Sequence, residues 1–417
     1  MPGYLSKIKT RIPHSSKEVD INIEGKNLIL TGGNGCGKTQ LIEFIFSRLY
    51  DKVVLKNNEN LSDIRDRLTA NKIALSKVGP AHQHYEHYLK EIDILTKQLE
   101  ESENPSIQLD RLDEYVVGYG NYTTILSKFD AMRKSDIIQP SSVTNLDKLR
   151  IHDKESEKKH ISKTTSSMFE EFLVSNIANQ AFSESKKIMN EPEEAKRIEK
   201  WFNKLDKDLQ DLFEDEFLSL KFDSDSFTFK IHQTDKDPYT FQTLSSGFSS
   251  IMAIYADLIT KVSLRSIDPE NLTGIVIIDE IDAHLHVSLQ KKVLAFFSTS
   301  FPKVQFIVTT HSPFVVSSID NAVIYDLSTC QQVEDLSMYS YESILEGVFG
   351  VLPISSILQD EIEQLGKLLK EKPLNVSDIE GLLKRIPKDE NVLDAESLYF
   401  VKSANIAISR AKRRLDV

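Results

Sequence analysis

Gly32-Gly33-Asn34-Gly35-Cys36-Gly37-Lys38-Thr39 constrains this chain more than any other stretch. It fits the pattern G-x-x-x-x-G-K-[ST] and follows the strand-like run Asn27-Leu28-Ile29-Leu30-Thr31. The glycines let the backbone bend until several N–H groups point at one spot, making a nest for an anion. Lys38 adds a flexible cation for β- and γ-phosphates, and the Thr39 hydroxyl is placed to hold Mg²⁺. Gln40 follows in a helix whose Leu41, Phe44, Ile45 and Leu49 share an apolar face. The positive N-terminus of that helix faces the bound anion. Strand, glycine loop and helix in this order predict an α/β domain that binds nucleotide phosphates.

At 417 residues the chain has room for about two or three domains, and 40% apolar content suffices for a core. Acidic residues outnumber basic ones by 63 to 51, giving a net charge of −12. That balance argues against a protein that coats DNA non-specifically, though a local basic groove stays open. Cys36 and Cys330 are far apart, and a disulfide at Cys36 would obstruct the nucleotide. This usage predicts a reduced, cytoplasmic protein. Residues 1–17 have no apolar leader segment and no run reaches membrane-span length, so no membrane association is expected.

The chain falls into segments of different character. Residues 1–60 alternate apolar and polar residues at Tyr4–Thr10 and Val19–Ile23, then reach Leu28–Leu30, predicting two or three strands ahead of the phosphate loop. Residues 61–219 are charged and mainly helix-forming, an insertion. Within it Tyr85, Tyr88, Ile92, Leu95 and Leu99 keep 3- and 4-residue spacing between Pro80 and Pro105, a short coiled-coil-like helix. Glu114–Phe129, rich in β-branched and aromatic residues, predicts one or two strands returning to the nucleotide-binding sheet. A second helical stretch runs from near Lys154 to Leu220. Its Leu205, Leu209, Leu212, Phe213 and Phe217 form a stripe beneath Asp206, Asp208, Asp211, Glu214 and Asp215, read as a solvated face rather than a metal cluster. Residues 220–330 return to the nucleotide-binding domain after a predicted hairpin, Leu218–Phe222 and Phe227–Ile231. Residues 331–417 read as a helical extension.

Three further segments complete the chemistry. Gly274-Ile275-Val276-Ile277-Ile278-Asp279-Glu280 predicts a strand buried on both faces and ending in two carboxylates. Asp279 can position Mg²⁺, and Glu280 can orient and polarise the water that attacks the γ-phosphate. Phe306–Thr310 predicts a second buried strand, ending at His311, one helix (Val287–Phe297) after the first. His311 can reach the γ-phosphate or the attacking water. Leu244-Ser245-Ser246-Gly247 opens a helix with Ile251, Tyr255, Leu258, Ile259 and Val262 on one face.

In this order the phosphate loop, Leu244–Gly247, Asp279-Glu280 and His311 resemble the ATP-binding-cassette ATPases. Asp279–His286 together with Thr309–Phe314 resembles their soluble branch, which holds the RecF, SMC and Rad50 heads and the OLD-family nucleases. The resemblance covers about residues 1–60 and 220–330. It implies paired heads, with each ATP between one phosphate loop and the partner's Ser245, Ser246 and Gly247. It makes Ala283–His286 an interface loop, with His284 and His286 interface residues rather than zinc ligands. It also implies a glutamine that senses Mg²⁺ after a strand of the first lobe, for which Gln139 is the candidate, with Arg133 nearby.

Long SMC-type arms are absent from the sequence, and the stretch after His311 is too short for a nuclease domain. The outline resembles the stand-alone ATPase subunits of bacterial anti-phage systems such as PARIS and Septu, each working with a separate nuclease. The implied function is a homo-oligomeric ATP hydrolase, using Lys38, Glu280 and His311, that regulates a separate effector in response to a phage-derived trigger. A RecF-like DNA-repair clamp and a nucleotide-binding scaffold without turnover stay open as alternatives. Lys154, Lys158, Lys159, His160 and Lys163 are candidate DNA contacts or simply a solvated helix. Ser403–Arg414 is either a surface helix with cations at its negative end or a dock for an acidic partner.

Overall fold

In the computed structural model, the opening alternation becomes two antiparallel strands, β1 (Leu5–Arg11) and β2 (Glu18–Asn22), with Ile8 opposite Ile21 on a buried face. The structure describes residues 3–56, 61–80, 82–103, 105–158, 165–334, 336–350, 355–371, 373–389 and 393–415. β3 (Asn27–Thr31) is buried throughout, and the phosphate loop carries the chain into α1 (Lys38–Val53). Leu41, Ile42, Ile45 and Leu49 of α1 are buried, as the apolar spacing requires.

α2 (Leu61–Ser76) and α3 (Tyr85–Glu103) pack together through Ile64, Leu68 and Leu95, flanked by Ile92 and Leu99. The predicted stripe is the seam of this helical pair. β4 (Ile107–Leu109) then joins β1, making a three-stranded sheet of order β2-β1-β4.

The run expected to form strands, Glu114–Phe129, divides instead. Its first part belongs to α4 (Leu112–Gly120), and only Thr124–Phe129 forms a strand, β5. Tyr115 explains the division. Its ring stacks on Tyr4, while its buried hydroxyl donates to the Ile125 carbonyl and accepts from the Ile275 N–H. Asp113 and Glu114 also suit the positive first turn of a helix. Tertiary packing outweighs the local β-propensity of Val116 and Val117.

α5 (Leu146–Lys158), α6 (Phe169–Glu184) and α7 (Pro192–Phe213) supply the second helical stretch. Leu205, Leu209, Leu212 and Phe213 are buried as expected, whereas Phe217 lies beyond α7 and is exposed. The acidic face is less solvated than the sequence suggests. Asp206 accepts from the Leu220 N–H and Asp208 from the Tyr255 hydroxyl, and burial raises the pKa of both carboxyls. Among the described residues no group of acidic, histidine or cysteine side chains could hold a metal ion on its own. β6 (Ser219–Asp223) and β7 (Thr228–His232) form the expected hairpin, extended by β8 (Tyr239–Thr240).

The core helix α8 (Ser246–Leu264) is followed by β9 (Thr273–Ile278), α9 (Val287–Gln290), α10 (Val293–Ser300), β10 (Val304–Thr309), α11 (Pro313–Val316), β11 (Ala322–Asp326) and β12 (Gln331–Glu334). The single helix expected over Val287–Phe297 is thus two short pieces. The six-stranded sheet has the order β12-β11-β3-β10-β9-β5, with β12 antiparallel and the rest parallel. Continuous apolar strands suit a sheet covered on both faces. One face packs Leu28, Leu30, Ile275, Ile277 and Ile307 against α1 and the small sheet. On the other, a chain of ring contacts runs from Phe306 through Phe297 and Phe296 to Tyr255 of α8. Gly274 lets β9 lie close to β5, since a Cβ there would sit 2.0 Å from the Ile125 carbonyl oxygen. Because the strands are parallel, β3, β9 and β10 deliver their C-terminal ends, and the polar residues after them, to one edge.

The chain separates into two units, Met1–Met338 and Tyr339–Val417. The second holds α12 (Tyr341–Gly347), α13 (Ser356–Leu368), α14 (Val376–Leu383) and α15 (Ala395–Leu415), with Leu365, Ile379, Leu382 and Ala404 in its own core. The basic C-terminal segment lies in α15, whose Asn405, Ile406 and Arg410 are exposed. Among the described residues no helix is long and apolar enough to cross a membrane.

Candidate functional site

The phosphate loop has the backbone its glycines allow. Gly32, Gly35 and Gly37 adopt φ of +129°, +75° and +106°, where L side chains rarely go. A Cβ on Gly32 would approach Cys36 Sγ and Ser328 Oγ to 2.9 Å. Lys38 is only 7% exposed, and its Nζ donates to the carbonyls of Gly32 and Gly33 at 2.9 and 3.2 Å. The cation therefore lies inside the curve of the loop, while Asn34, Gly35, Thr39 and Gln40 face solvent. The Gly33 N–H donates to Ser328 Oγ at 2.8 Å, and Asp326, at the end of β11, accepts from the Ser328 N–H.

Thr39 Oγ1 donates to Asp279 Oδ2 at 3.0 Å, joining the phosphate loop to the acidic strand end. Asp279 is 5% exposed, and its other oxygen accepts from Thr309 Oγ1 at 2.5 Å. Hydroxyl and carboxylate oxygens are the hard donors that Mg²⁺ selects, so this pair fits the ion. Glu280 follows with φ +46°, a left-handed backbone that costs a non-glycine residue about 1–3 kcal/mol. Its N–H donates to Thr309 Oγ1 at 2.7 Å. Thr310 Oγ1 donates to Asp282, and Gln290 Nε2 to the Leu285 carbonyl, pinning the loop that follows Glu280.

His311 lies among these groups. Burial lowers its pKa, the neighbouring Lys38 lowers it further, and Asp282, Glu280 and Asp279 offset this in part. The sign is that of a neutral imidazole at neutral pH, with protonation below the ordinary value of 6.5. In Lys38→Ala the like charge is gone, so the His311 midpoint in an NMR pH titration should move up. An unchanged midpoint would mean that the two groups do not sense each other.

Ser245 is the N-cap of α8, and both Ser245 and Ser246 are exposed. Gly247 is buried, and a Cβ on it would come within 2.7 Å of the His284 carbonyl oxygen. The Ser245–Gly247 segment therefore packs on the loop leaving Asp279-Glu280 within the same chain. His286 Nδ1 accepts from the Ser288 N–H and caps α9, a local structural role.

Gln139 is held elsewhere. Its Nε2 donates to the Ser226 carbonyl in the β6–β7 turn, whereas it is Arg133 that donates to the Asp279 carbonyl. β5 lies beside β9 and ends at Phe129, so the residues that reach the acidic strand end are those just after it. Ser328 is a site residue outside every motif, and Thr309 and Thr310, which fall within the Thr309–Phe314 motif, carry site roles that the motif does not assign. A hydroxyl at the C-terminal end of a buried parallel strand is the available signal for Thr309 and Thr310. Of the candidate DNA contacts, Lys154 lies over the Tyr122 ring at 5.3 Å, and Lys159, His160 and Lys163 fall outside the described residues.

Residues 28–317 match the protein family described as "AAA domain, putative AbiEii toxin, Type IV TA system". Among similar proteins, the Retron Ec83 probable ATPase of Escherichia coli is 44% identical over 92 residues, which are 21% of this chain and 17% of that protein. The Septu protein PtuA of Bacillus thuringiensis is 28% identical over 356 residues, 79% of each chain. The match thus spans a small part of the retron protein and most of PtuA. A solved Smc head domain bound to the C-terminal domain of ScpA, from Pyrococcus furiosus, covers 79% of this chain and 95% of that one, at 13% identity and a TM-score of 0.36. With the family match running from β3 to the end of α11, the chain belongs to this AAA-domain family of ATPases.

Proposed function

We propose that this chain is an ATP hydrolase that sandwiches ATP between two heads and regulates a separate effector, a nuclease, in anti-phage defence. The observation that carries the catalytic part is the 3.0 Å bond from Thr39 to Asp279, with Glu280 next in the chain and Lys38 inside the loop. The backbone from Gly32 to Gly37 and Lys38 bind the phosphates. Thr39 and Asp279 would hold Mg²⁺, whose charge stabilises the phosphate oxygens during transfer. Glu280 orients the attacking water and takes its proton. His311, neutral at physiological pH, contacts the γ-phosphate or that water. The exposed Ser245 and Ser246 at the α8 N-terminus are free to meet a second chain's nucleotide.

The defence setting is supported by the relatives, a Septu protein and a retron ATPase. The test is the mass and composition of the native complex captured through this chain, together with phosphate release from ATP. Turnover with a stoichiometric nuclease in the complex supports the proposal. A bare homodimer whose turnover rises on duplex DNA would replace it with a DNA-repair clamp, and absence of turnover would make the chain a nucleotide-binding scaffold.

A further inference from the structure

We propose that Arg133 is a positioning residue for ATP hydrolysis, setting the Glu280 carboxylate by gripping the backbone on both sides of it. The inference rests on the role given to Glu280 above. Phe129, the last residue of β5, pairs with Ile278 of β9, and its carbonyl accepts from the Asp279 N–H at 2.9 Å. The chain leaving β5 therefore starts beside the acidic strand end. Four residues on, the Arg133 guanidinium turns back to it. Nη1 donates to the carbonyls of Asp279 (2.7 Å) and Asp130 (3.1 Å), and Nη2 to those of Glu280 and Ile281 (both 3.2 Å).

Three consecutive carbonyls, Asp279 to Ile281, thus converge on one side chain. Their dipoles would oppose one another unless a cation lay among them. A planar fork with several donors can serve all three, whereas an ammonium is a single point. The middle carbonyl belongs to the residue with left-handed φ, so the fork holds the conformation that Glu280 would otherwise tend to leave. Among the described residues Arg133 bonds no carboxylate, which leaves the Glu280 oxygens for water.

The segment that carries Arg133 is tied to α8, while the guanidinium's buried Nε finds no hydrogen-bond partner among the described residues. Two residues on, the Ser135 N–H donates to Ser249 Oγ of α8 at 3.0 Å. Withdrawal from water pulls the Arg133 pKa down to about 10, with Asp282, Asp279 and Glu280 acting the other way, so it keeps its charge at neutral pH.

The experiment compares wild type, Arg133→Gln, Arg133→Lys, Glu280→Gln and the double variant Arg133→Gln/Glu280→Gln in the full chain. Thermal unfolding confirms folding, a fluorescent ATP analogue reports nucleotide affinity, and single-turnover phosphate release reports the chemical step. Misplacing a catalytic group by about 1 Å costs about 100-fold in rate, so Arg133→Gln should lower kcat by about that factor with KM and nucleotide affinity within about twofold of wild type. Arg133→Lys should recover little of the loss. The double variant should be no slower than Glu280→Gln alone, because Arg133 acts only through Glu280.

A wild-type rate in Arg133→Lys, a further loss in the double variant, or a loss of nucleotide affinity in a folded Arg133 variant would each overturn the proposal. If Arg133→Gln does not fold, Arg133→Lys decides the matter. Should Glu280→Gln be slow while Arg133 variants behave like wild type, only the Arg133 role falls. A wild-type rate in Glu280→Gln, or no turnover by wild type, would remove the role of Glu280 and this inference with it.

Discussion

Glu280→Gln should bind ATP with near wild-type affinity and hydrolyse it about 1000-fold more slowly. The substitution keeps shape and size but replaces a group that accepts a proton with one that does not. General-base assistance by a positioned side chain contributes about 10²–10⁴-fold, so the expected loss lies within that range. The contacts that fix this position, from its N–H to Thr309 Oγ1 and from Arg133 Nη2 to its carbonyl, use only backbone atoms of residue 280 and persist in the variant. Binding should likewise persist, because Lys38, Thr39 and the loop backbone are untouched. Rapid-quench measurement of the first turnover isolates the chemical step. A variant with wild-type turnover would assign the activation of water to another residue.

Lys38→Ala should reduce ATP affinity by about 100-fold or more. Hydrogen bonds to a charged group are worth about 1.5–3 kcal/mol each, and this ammonium would serve two phosphates. The variant also leaves the Gly32 and Gly33 carbonyls without the donor they now share. Titration with a fluorescent nucleotide measures the loss, and an unchanged unfolding transition separates it from misfolding. Wild-type affinity in a folded Lys38→Ala chain would contradict the phosphate-loop reading.

The parts of this molecule that were legible in its sequence are those coded locally. The phosphate loop, the apolar runs of β9 and β10, and the spacing of α3 each depend on near neighbours, and each has the expected secondary structure. Val116 and Val117 point to a strand, yet they lie in a helix because Tyr115 bonds backbone in β5 and β9, a partnership across 160 residues in the case of Ile275. The supporting groups of the site were hidden for the same reason. Thr309 meets Asp279 over 30 residues and Arg133 meets it over 146. Choosing Gln139 by residue type overlooks register: β5 ends at Phe129, so nearness to Asp279 falls to Arg133 and not to a residue tied to the β6–β7 turn. Burial was likewise unreadable at Asp206 and Asp208, whose spacing matches an exposed acidic face while their partners come from β6 and α8.

In the proposed mechanism ATP joins two heads until Glu280 completes hydrolysis. Sedimentation velocity of Glu280→Gln, with and without ATP and Mg²⁺, tests it most directly. A species of larger mass should form only with ATP, persist in this variant and be absent from Lys38→Ala. An identical mass with and without nucleotide would contradict it.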